Sequence, residues 1–293
     1  MRRSVDKVVA ITGASGLLGT HLCSHFAARG WWVRAGLRNP SRYPSRHPRI
    51  STFRCELPDH LDKAGLADAD VCIHTAYATR PMPVAAARQV NEEGTRAVLM
   101  ASRRAGVRTF VFISSCSAHE RALSYYGRSK FALEKKLQLQ RDLVIRPGLI
   151  LAEQGLFRRL CDYIRHTRII PLFDGGRQVV QTIHIEDLCS AILLAIDRNL
   201  KGCRVLAEPE GILMRDLLAS IAHKMGRRPV FVPLPIAMLL VLLRLFETLR
   251  IPFFVSSENL LGLKSMEHQE SAKDLAELGI SVRSARQSLD DLL

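Results

Sequence analysis

The chain has 293 residues, of which 47% are apolar and 24% are charged. These proportions match an average globular protein and exclude a disordered or collagen-like chain. At about 150 residues per domain, the length predicts one large domain or two modest ones. The composition departs from the average in its net charge, which is +14.

Most of the excess positive charge lies at the N-terminal end of the sequence. Residues 1–54 contain a single acid, Asp6, and supply +9 of the +14. Their ten basic residues are Arg2, Arg3, Lys7, Arg29, Arg34, Arg38, Arg42, Arg46, Arg49 and Arg54. This local excess predicts an anionic partner, which is a phosphorylated small molecule, an anionic membrane surface or a nucleic acid. We expect no nucleic acid, because the stretch has neither a recognition motif nor interleaved aromatic residues.

The cysteines predict neither a metal site nor a disulfide framework, because they form no CxxC pair and no cluster at zinc spacing. They are Cys23, Cys55, Cys72, Cys116, Cys161, Cys189 and Cys203. We expect reduced thiols in a cytoplasmic protein. Val8–Ile11 is too short for the apolar core of a signal peptide. The longest apolar run, Ile236–Leu243, is far shorter than the roughly 20 residues of a membrane span.

Short apolar or β-branched runs alternate with helical periodicity through the first two thirds of the chain, which is typical of βαβ units. The predicted strands are Lys7–Thr12, Trp32–Leu37, Ile50–Cys55, Val71–His74, Thr109–Ser114, Leu143–Arg146 and Arg204–Ala207. The predicted helices between them are Leu17–Arg29, Val84–Ala105, Tyr126–Gln140 and Ile185–Asp197. After Pro147 helices predominate, beginning with Leu156–His166.

These elements predict an α/β fold with a Rossmann-type doubly wound parallel sheet and a smaller, mainly helical C-terminal substrate lobe. We expect a dinucleotide-binding domain over residues 1–152 and a substrate lobe over residues 153–293. Residues 184–207 are expected to return to the first domain.

A glycine-rich turn follows the first predicted strand and opens the first predicted helix. Its GxxGxxG spacing is formed by Gly13, Gly16 and Gly19. The first glycine permits a tight turn, the second lets a pyrophosphate approach the backbone, and the third lets helix and strand pack closely. The predicted cofactor contacts of the turn are Gly13, Ser15, Gly16, Leu17, Leu18 and Gly19.

Arg38 follows the second predicted strand, at the place where dinucleotide-binding folds contact the adenosine ribose. An acid there favours NAD, whereas an arginine suits the 2′-phosphate of NADP. No acid occurs between Arg38 and Glu56, so the sequence favours NADP, with NAD as the alternative. Glu56 and Leu57, after the third strand, are candidate contacts of the adenine edge.

A YxxxK motif, Tyr126 to Lys130, opens a predicted helix. Residues four apart share a helix face, so the phenol and the ammonium can point into one cleft. A nearby ammonium stabilises phenolate and lowers the pKa of tyrosine from its ordinary value near 10. Tyr125 has Ser129 at that offset and cannot be the partner. Ser115, 11 residues before Tyr126, ends a predicted strand and can hold a substrate oxygen.

Together these motifs resemble the extended short-chain dehydrogenases/reductases, also called the NAD-dependent epimerase/dehydratase family. The resemblance covers nearly the whole chain. Its markers, in order, are Thr12–Gly19, His74–Ala76, Asn91–Thr95, Ser114–Ser115, Tyr126–Lys130, Arg146–Gly148 and His184–Asp187. The resemblance adds Ala76 and Pro147 to the expected cofactor contacts.

The resemblance implies a catalytic triad of Ser115, Tyr126 and Lys130. Tyr126 would exchange the hydroxyl proton, Ser115 would hold the reacting oxygen, and Lys130 would tune the tyrosine and hold the nicotinamide ribose. It implies hydride transfer at a secondary alcohol or ketone by an oxidoreductase, epimerase or dehydratase, with a nucleotide sugar as one candidate substrate. The alternative is a non-catalytic NAD(P)-binding scaffold or assembly protein, with a peripheral membrane location as one option.

The sequence departs from the nucleotide-sugar members of the family at two places. The loop between Ser115 and Tyr126 lacks the Tyr-Gly pair that many of them carry. Val179–Gln181 stands where they often have an arginine that grips the diphosphate, and Arg177 is displaced from that position. Both changes weaken the assignment of a nucleotide sugar, and the sequence leaves the substrate open.

The stretch Val230–Phe254 contains Ile236–Leu243, which is apolar on every helical face and must therefore be buried against other groups. The alternatives are a helix packed inside the small lobe, an oligomer contact, a substrate wall and, less favoured, a peripheral membrane contact. Separately, the resemblance implies a homodimer formed through the helices that contain Val84–Ala105 and Tyr126–Gln140.

Overall fold

The computed structural model describes residues 7–43, 47–79, 82–249, 251, 253 and 255–293. Arg2, Arg3, Asp6 and Arg46 of the N-terminal stretch lie outside these residues, as do positions 250, 252 and 254 of the apolar stretch. The chain divides into two compact units. The first unit comprises the described residues up to Ser114 with Ala132–Ile145 and Cys189–Arg204, and the second comprises Ser115–Phe131, Arg146–Leu188 and Val205–Leu293.

The strands of the described residues are numbered in chain order. They are β1 (Val8–Thr12), β2 (Trp32–Leu37), β3 (Ile50–Glu56), β4 (His60–Leu61), β5 (Val71–His74), β6 (Thr109–Ile113), β7 (Leu143–Pro147), β8 (Leu149–Leu151), β9 (Ile169–Phe173), β10 (Val179–Val180), β11 (Thr182–His184), β12 (Gly202–Leu206), β13 (Ile212–Leu213) and β14 (Val230–Leu234).

One large sheet carries the order β12-β7-β6-β5-β1-β2-β3-β4. The pairs from β3 through β2, β1, β5 and β6 to β7 are parallel, and the short β4 pairs antiparallel with β3. The chain therefore builds outward in both directions from β1, which is the doubly wound arrangement expected from the sequence. Each predicted strand corresponds to a strand of this sheet, and the α/β fold class is confirmed.

The α-helices are numbered in the same way. They are α1 (Leu17–Ala28), α2 (Val84–Arg88), α3 (Gly94–Arg104), α4 (Tyr125–Glu134), α5 (Gly155–His166), α6 (Ile185–Asp197), α7 (Met214–Lys224), α8 (Ile236–Thr248), α9 (Ser257–Lys264), α10 (Ala272–Glu277) and α11 (Ala285–Leu292). Within the described part of the chain, none is long and apolar enough to cross a membrane.

The central strands of the sheet are buried on both faces. Every residue of β6 is buried, and its aromatic side chains, Phe110 and Phe112, pack in one core cluster with Phe53 and Val98. Helices on both faces of a parallel sheet produce continuous apolar strands of this kind. This rigid core fixes the strand ends that carry the motifs of the first unit.

Two predicted helices differ from the structure. The single helix expected over Val84–Ala105 is interrupted by a turn of π-helix, Gln89–Glu93. The helix expected to reach Gln140 ends at Glu134. After it, the amides of Lys136 and Leu137 bond to the carbonyls three residues earlier, at 3.0 and 3.1 Å, so the chain continues as turns. The buried carboxylate of Asp142 holds these turns by accepting a hydrogen bond from the Gln138 amide at 2.9 Å.

The second unit combines short strands with most of the helices after Pro147. It contains the parallel pairs β8–β11 and β9–β14 and the antiparallel pair β10–β13. Helix α8 is packed on one side only, through Leu239 and Leu243. Its opposite side, including Val241 and Leu245, is exposed. The alternative of a helix packed inside the small lobe therefore accounts for one side of α8 and leaves the other side uncovered.

Candidate active site

The glycine-rich turn is so closely packed that two of its glycines admit no side chain. Gly13 has a φ of +72°, and a Cβ there would lie 2.6 Å from the amide nitrogen of Ala76. A Cβ at Gly19 would lie 2.2 Å from the carbonyl oxygen of Gly13. These contacts bring β1, the start of α1 and the segment after β5 together, as expected for a phosphate-binding turn.

The N-terminus of α1 is open to an anion. Gly16 is its N-cap residue, with no side-chain capping hydrogen bond and no acid in the first turn. Ser15 and Gly16 are exposed, Leu17 is half-buried, and Leu18 is buried against the core. Helix N-terminal amides carry partial positive charge and bind phosphates. The residues present therefore fit the pyrophosphate of a dinucleotide.

A buried chain of hydrogen bonds ties the ends of β1 and β5 to α3. The Thr95 hydroxyl donates to the Asn91 carbonyl at 2.5 Å, so it accepts from Nε2–H of His74 at 2.9 Å. The other ring nitrogen, Nδ1, is hydrogen-bonded to the Thr12 hydroxyl at 2.7 Å and completes the chain. His74 thus positions the two strand ends beside the turn.

Asn91 holds the loop that follows β5. Its side chain accepts from the Ala78 amide at 2.7 Å and donates to the Ala78 carbonyl at 3.3 Å. Asn91 is fully buried and lies in the π-helical turn. The sequence marked it only as part of a family motif. The structure supplies the physical reason, which is bracing of the segment that contains Ala76.

The adenosine-side candidates lie at the carboxyl ends of β2 and β3. Arg38 is exposed directly after β2. The hydrogen bond from Arg54 is the main cause that lowers the pKa of Glu56, and the charge of Arg38 contributes a smaller effect in the same direction. Arg54 and Glu56 form an ion pair at 2.8 Å. Leu57 packs closely against Gly94. Of these side chains, Arg38 is the exposed cation placed where a ribose phosphate would be recognised.

Arg34, by contrast, is engaged within the first unit. Its guanidinium donates to the backbone carbonyls of Ala64 and Ala67. It lies inside β2, whereas Arg38 follows the end of the strand. Arg42 is exposed in the short 3-10 helix Pro40–Arg42. The basic cluster seen in the sequence therefore separates into one structural arginine and exposed arginines after β2.

In the second unit, the structure brings Ser115, Tyr126 and Lys130 together. The side chains of Tyr126 and Ser115 are hydrogen-bonded. The Nζ atom of Lys130 lies 5.8 Å from the centroid of the Tyr126 ring, and Lys130 is buried. The helical spacing expected from YxxxK thus places the ammonium beside the phenol.

The environment of Tyr126 favours the neutral phenol. Burial raises the pKa of Tyr126 above 10.0, and the hydrogen bond with Ser115 partly opposes that rise. The sequence-based expectation was a pKa lowered by Lys130, so the net direction in the structure is the opposite one. A neutral phenol is a proton donor, whereas phenolate is an acceptor.

Helix α4 is held at its N-terminus by two acceptors. The Ser124 hydroxyl oxygen accepts from the Gly127 amide at 3.1 Å, as an N-cap. The carboxylate of Glu258 accepts from the amides of Tyr125, at 2.6 Å, and Tyr126, at 3.4 Å. Negative charge at this end also complements the helix dipole. Sequence reasoning missed Glu258, because no local signal links it to a helix more than 120 residues earlier.

The loop between Ser115 and α4 packs tightly against that helix. A Cβ at Gly127 would lie 2.3 Å from the carbonyl oxygen of Ser117. The Ser117 amide in turn donates to the Ser115 hydroxyl oxygen at 3.1 Å. Gly127 therefore allows the close approach that sets Ser115 against Tyr126.

Two further residues of the second unit are associated with this loop, one by contact and one as part of it. Pro147 is buried at the end of β7, and its carbonyl accepts from the Cys116 amide at 3.1 Å. His119 is buried, and neither of its ring nitrogens has a hydrogen-bond partner among the described residues. Its Nδ1 lies 3.8 Å from Glu267. A buried imidazole without partners is unusual and marks the loop as a candidate substrate contact.

The fold and these motifs define a nicotinamide-dependent enzyme of the short-chain dehydrogenase/reductase type. The model of the NAD-dependent epimerase/dehydratase family matches residues 9–205. The chain belongs to this family, and it is an NAD(P)-dependent oxidoreductase or epimerase. Within the described residues, no cluster of histidine, cysteine or acidic side chains could hold a metal ion.

Curated relatives agree with this assignment, and a solved structure agrees with the fold. The chain is 30% identical to a ceramide reductase of Caulobacter vibrioides over 78% of this chain and 74% of the relative. It is 36% identical to a 3 beta-hydroxysteroid dehydrogenase/Delta 5-->4-isomerase of Mycobacterium tuberculosis over 64% of this chain and 59% of the relative. A nucleoside-diphosphate-sugar epimerase from Staphylococcus aureus, 16% identical, aligns with a TM-score of 0.74 over 96% of this chain and 99% of its own.

Proposed function

We propose that this chain reduces a ketone on an apolar, lipid-like substrate to a secondary alcohol, with NADPH as the preferred reductant. The reverse oxidation uses the same groups. The observation that carries the proposal is the Ser115–Tyr126 hydrogen bond beside the buried Lys130. The bound nicotinamide would supply the hydride.

Tyr126 donates the proton in the proposed reaction. Its raised pKa keeps the phenol protonated at neutral pH, so it can protonate the carbonyl oxygen as the carbon is reduced. Ser115, already hydrogen-bonded to the phenol, would hold that oxygen in reach. Lys130 would orient the phenol and, as the family resemblance implies, contact the nicotinamide ribose.

The substrate class is inferred first from Val179–Gln181, the stretch in which nucleotide-sugar members of the family often have an arginine that grips the diphosphate. Val179 and Val180 carry no charge. The side chain of Gln181 is buried and satisfied by backbone, donating to the carbonyl of Gln269 at 2.9 Å and accepting from its amide at 2.8 Å. Within this stretch, no side chain offers a positive charge to a diphosphate, which supports an uncharged substrate over a nucleotide sugar.

The relatives of highest similarity reported above point the same way. One is named for a ceramide and the other for a hydroxysteroid, and both names specify apolar substrates with an oxygen-bearing carbon. The nucleotide-sugar enzyme shares the fold at only 16% identity. We therefore place the substrate among long-chain or polycyclic ketones.

The preference for NADP rests on Arg38. It is an exposed cation after β2, with Arg42 exposed in the next turn. The carboxylate of Glu56 is already paired with Arg54. An unpaired arginine at this place suits a 2′-phosphate and offers no acceptor for the ribose hydroxyls of NAD.

The proposed reaction is tested by replacing the proton donor. Tyr126→Phe should lower kcat by at least about 10²-fold while leaving the Kd of NADPH unchanged, because only the hydroxyl is lost. Turnover is measured as NADPH consumption with a 3-ketosteroid, an N-acylated long-chain amino ketone and UDP-glucose. Tyr125→Phe is the matched control and should retain activity.

Three results would contradict the proposal. Unchanged turnover in the Tyr126 variant would remove the tyrosine from the mechanism. NADPH binding by the wild-type protein without turnover of either ketone would favour the alternative of a cofactor-binding scaffold. Turnover of UDP-glucose alone would move the substrate to the nucleotide sugars.

The cofactor preference has its own test. Arg38→Ala should raise the KM for NADPH by about 10- to 100-fold, as expected for loss of a charged hydrogen bond. The KM for NADH should change little. Arg104→Ala removes one positive charge from another exposed position of the first unit and should leave both constants unchanged. Equal effects of Arg38→Ala on the two cofactors would refute the assignment.

A further inference from the structure

Helix α8 exposes an apolar face that no described residue of the second unit covers. Leu239 and Leu243 are buried against Phe173. On the opposite side, the exposed fractions are 51% for Met238, 68% for Val241, 51% for Leu245 and 59% for Leu249. These four residues follow a spacing of three or four and so form one stripe along the helix. A surface helix normally places polar residues on this side.

The strands under α8 extend the apolar surface. Ile169 of β9 and Val230 of β14 are direct cross-strand partners, with exposed fractions of 56% and 62%. Side chains alternate along a strand, so they share a sheet face with Phe173 and Leu234. Those two residues pack in the cluster beneath α8. Ile169 and Val230 therefore lie on the same sheet face that α8 packs against, at the end of that face that α8 leaves exposed.

Aromatic contacts join this end of the sheet to the second half of α8. The Tyr163 hydroxyl donates to the Ile169 carbonyl at 3.1 Å. The ring of Tyr163 meets that of Phe253 at a centroid distance of 5.2 Å, and Phe253 meets Phe246 of α8 at 5.6 Å. Ile169 and the C-terminal turns of α8 thus belong to one surface, here called the apolar surface: Ile169, Val230, Met238, Val241, Leu245 and Leu249.

The charges around the apolar surface are almost all positive. The segments that form it, residues 163–173 and 225–249, contain one acid, Glu247. That carboxylate is taken up by the amide and hydroxyl of Ser257, at 2.7 and 2.8 Å. The basic residues of the same segments are exposed: Arg165 is paired with Asp162 at 3.5 Å, and the others are Arg168, Arg227, Arg228 and Arg244.

We propose that the apolar surface binds the face of an anionic lipid bilayer. The helix has 13 residues, so at about 1.5 Å per residue it lies along the interface instead of crossing it. Its apolar stripe enters the boundary of headgroups and acyl chains, and the arginines meet lipid phosphates. A second copy of the chain fits less well, because a two-fold contact of this surface with itself would bring like charges together.

The experiment is co-sedimentation of the full chain with vesicles. One set is phosphatidylcholine alone, and the other contains equal parts of phosphatidylcholine and phosphatidylglycerol. The wild-type protein should bind the anionic vesicles much more strongly. Val241→Asp with Leu245→Asp should lower the partition coefficient at least about tenfold, because two apolar side chains no longer enter the bilayer.

The electrostatic part is tested separately. Replacing Arg168, Arg228 and Arg244 by glutamine should weaken binding to the anionic vesicles about fivefold per residue and leave binding to phosphatidylcholine unchanged. Met82→Asp with Leu293→Asp is the matched control, because both side chains are exposed apolar residues that lie outside the apolar surface and outside the helices expected to form a dimer. This control should bind vesicles like the wild type. Circular dichroism melts check that each variant is folded.

Three outcomes would overturn the proposal. The wild type could fail to bind anionic vesicles, or the double aspartate variant could bind them as well as the wild type does. Light scattering could also show a dimer that this variant converts to monomers without any vesicle binding, which would assign the surface to a second copy. The assay needs no turnover, so its outcome is independent of the proposed reaction.

Discussion

Tyr126 combines a motif recognisable from local spacing with an environment that only folding creates. Lys130 lies beside its ring, as helical spacing predicts. Yet burial has the largest effect on the phenol and raises its pKa. Withdrawal from water penalises phenolate more than the Ser115 hydrogen bond stabilises it. The resting phenol is therefore a proton donor, as the proposed ketone reduction requires.

This state of Tyr126 predicts opposite pH profiles for the two directions of the reaction. Ketone reduction needs the phenol, so its kcat should be constant through neutral pH and fall only as the pH rises through the raised pKa of Tyr126. Alcohol oxidation needs phenolate and should accelerate as the pH rises. Both profiles are measured with the same substrate pair. A reduction rate that falls already between pH 6 and 8 would show that phenolate predominates there, against a raised pKa.

At the scale of secondary-structure elements, α4 is placed by contacts with distant parts of the second unit. Glu258 at the start of α9 accepts from two amides at the N-terminus of α4. The Ser117 carbonyl approaches Gly127 so closely that no side chain fits. These contacts fix the position of the helix, and with it the distance between Ser115 and Tyr126.

Gly127→Ala tests this placement. In a free helix the change would stabilise by about 1 kcal/mol. Here we expect a loss of about 1–3 kcal/mol in the free energy of unfolding, because the new Cβ collides with the Ser117 carbonyl. The value of kcat should fall by more than stability alone explains. Urea unfolding and ketone reduction measure the two effects.

Gly262→Ala provides the matched comparison. Gly262 is also helical, in α9, but a Cβ there would lie 3.6 Å from the Ser124 hydroxyl, an ordinary contact. This variant should be as stable as the wild type or slightly more so, with unchanged kcat. Equal behaviour of the two variants would argue against steric control at Gly127.

At the scale of the whole molecule, an ionic network ties the C-terminal segment to the start of α6. Arg283 donates to Nδ1 of His184 at 2.6 Å and pairs with Glu186 at 3.1 Å and Asp291 at 3.2 Å. Burial, and then the charge of Arg283, lower the pKa of His184 below 6.5. Only a neutral imidazole can accept from the guanidinium.

Global stability should therefore fall on acidification. The unfolded chain protonates His184 near its ordinary pKa of about 6.5, whereas the folded chain resists protonation until a lower pH. The contribution of His184 is fully present above 6.5 and is lost as the pH falls through the lowered pKa of the folded state. Urea unfolding should give a lower free energy of unfolding at pH 5.5 than at pH 7.5.

His184→Gln should reduce the difference in the free energy of unfolding between pH 7.5 and pH 5.5. The amide oxygen of glutamine still accepts from Arg283 but does not titrate. His166→Gln removes an exposed histidine of α5 and should leave the difference as in the wild type. A difference that His184→Gln leaves intact would assign the acid sensitivity to other groups.

The sequence alone determined the features that depend on spacing along the chain. The glycine turn and the YxxxK motif are local, and steric and helical geometry dictate what they form. The strands of the large sheet were predictable because strands buried on both faces are continuous apolar runs. Motif order was enough to indicate the family, which the family match confirms.

Only the tertiary structure decided the features that depend on partners far apart in the chain. The carboxylate at the N-terminus of α4 comes from Glu258, and burial reverses the expected pKa direction of Tyr126. The same holds for the apolar run Ile236–Leu243. The sequence required other groups to bury it but did not determine which side of the helix they would contact. Hydrophobicity is a property of a residue, whereas burial depends on what the fold brings next to it. In α8, the fold covers Leu239 and leaves Val241 exposed.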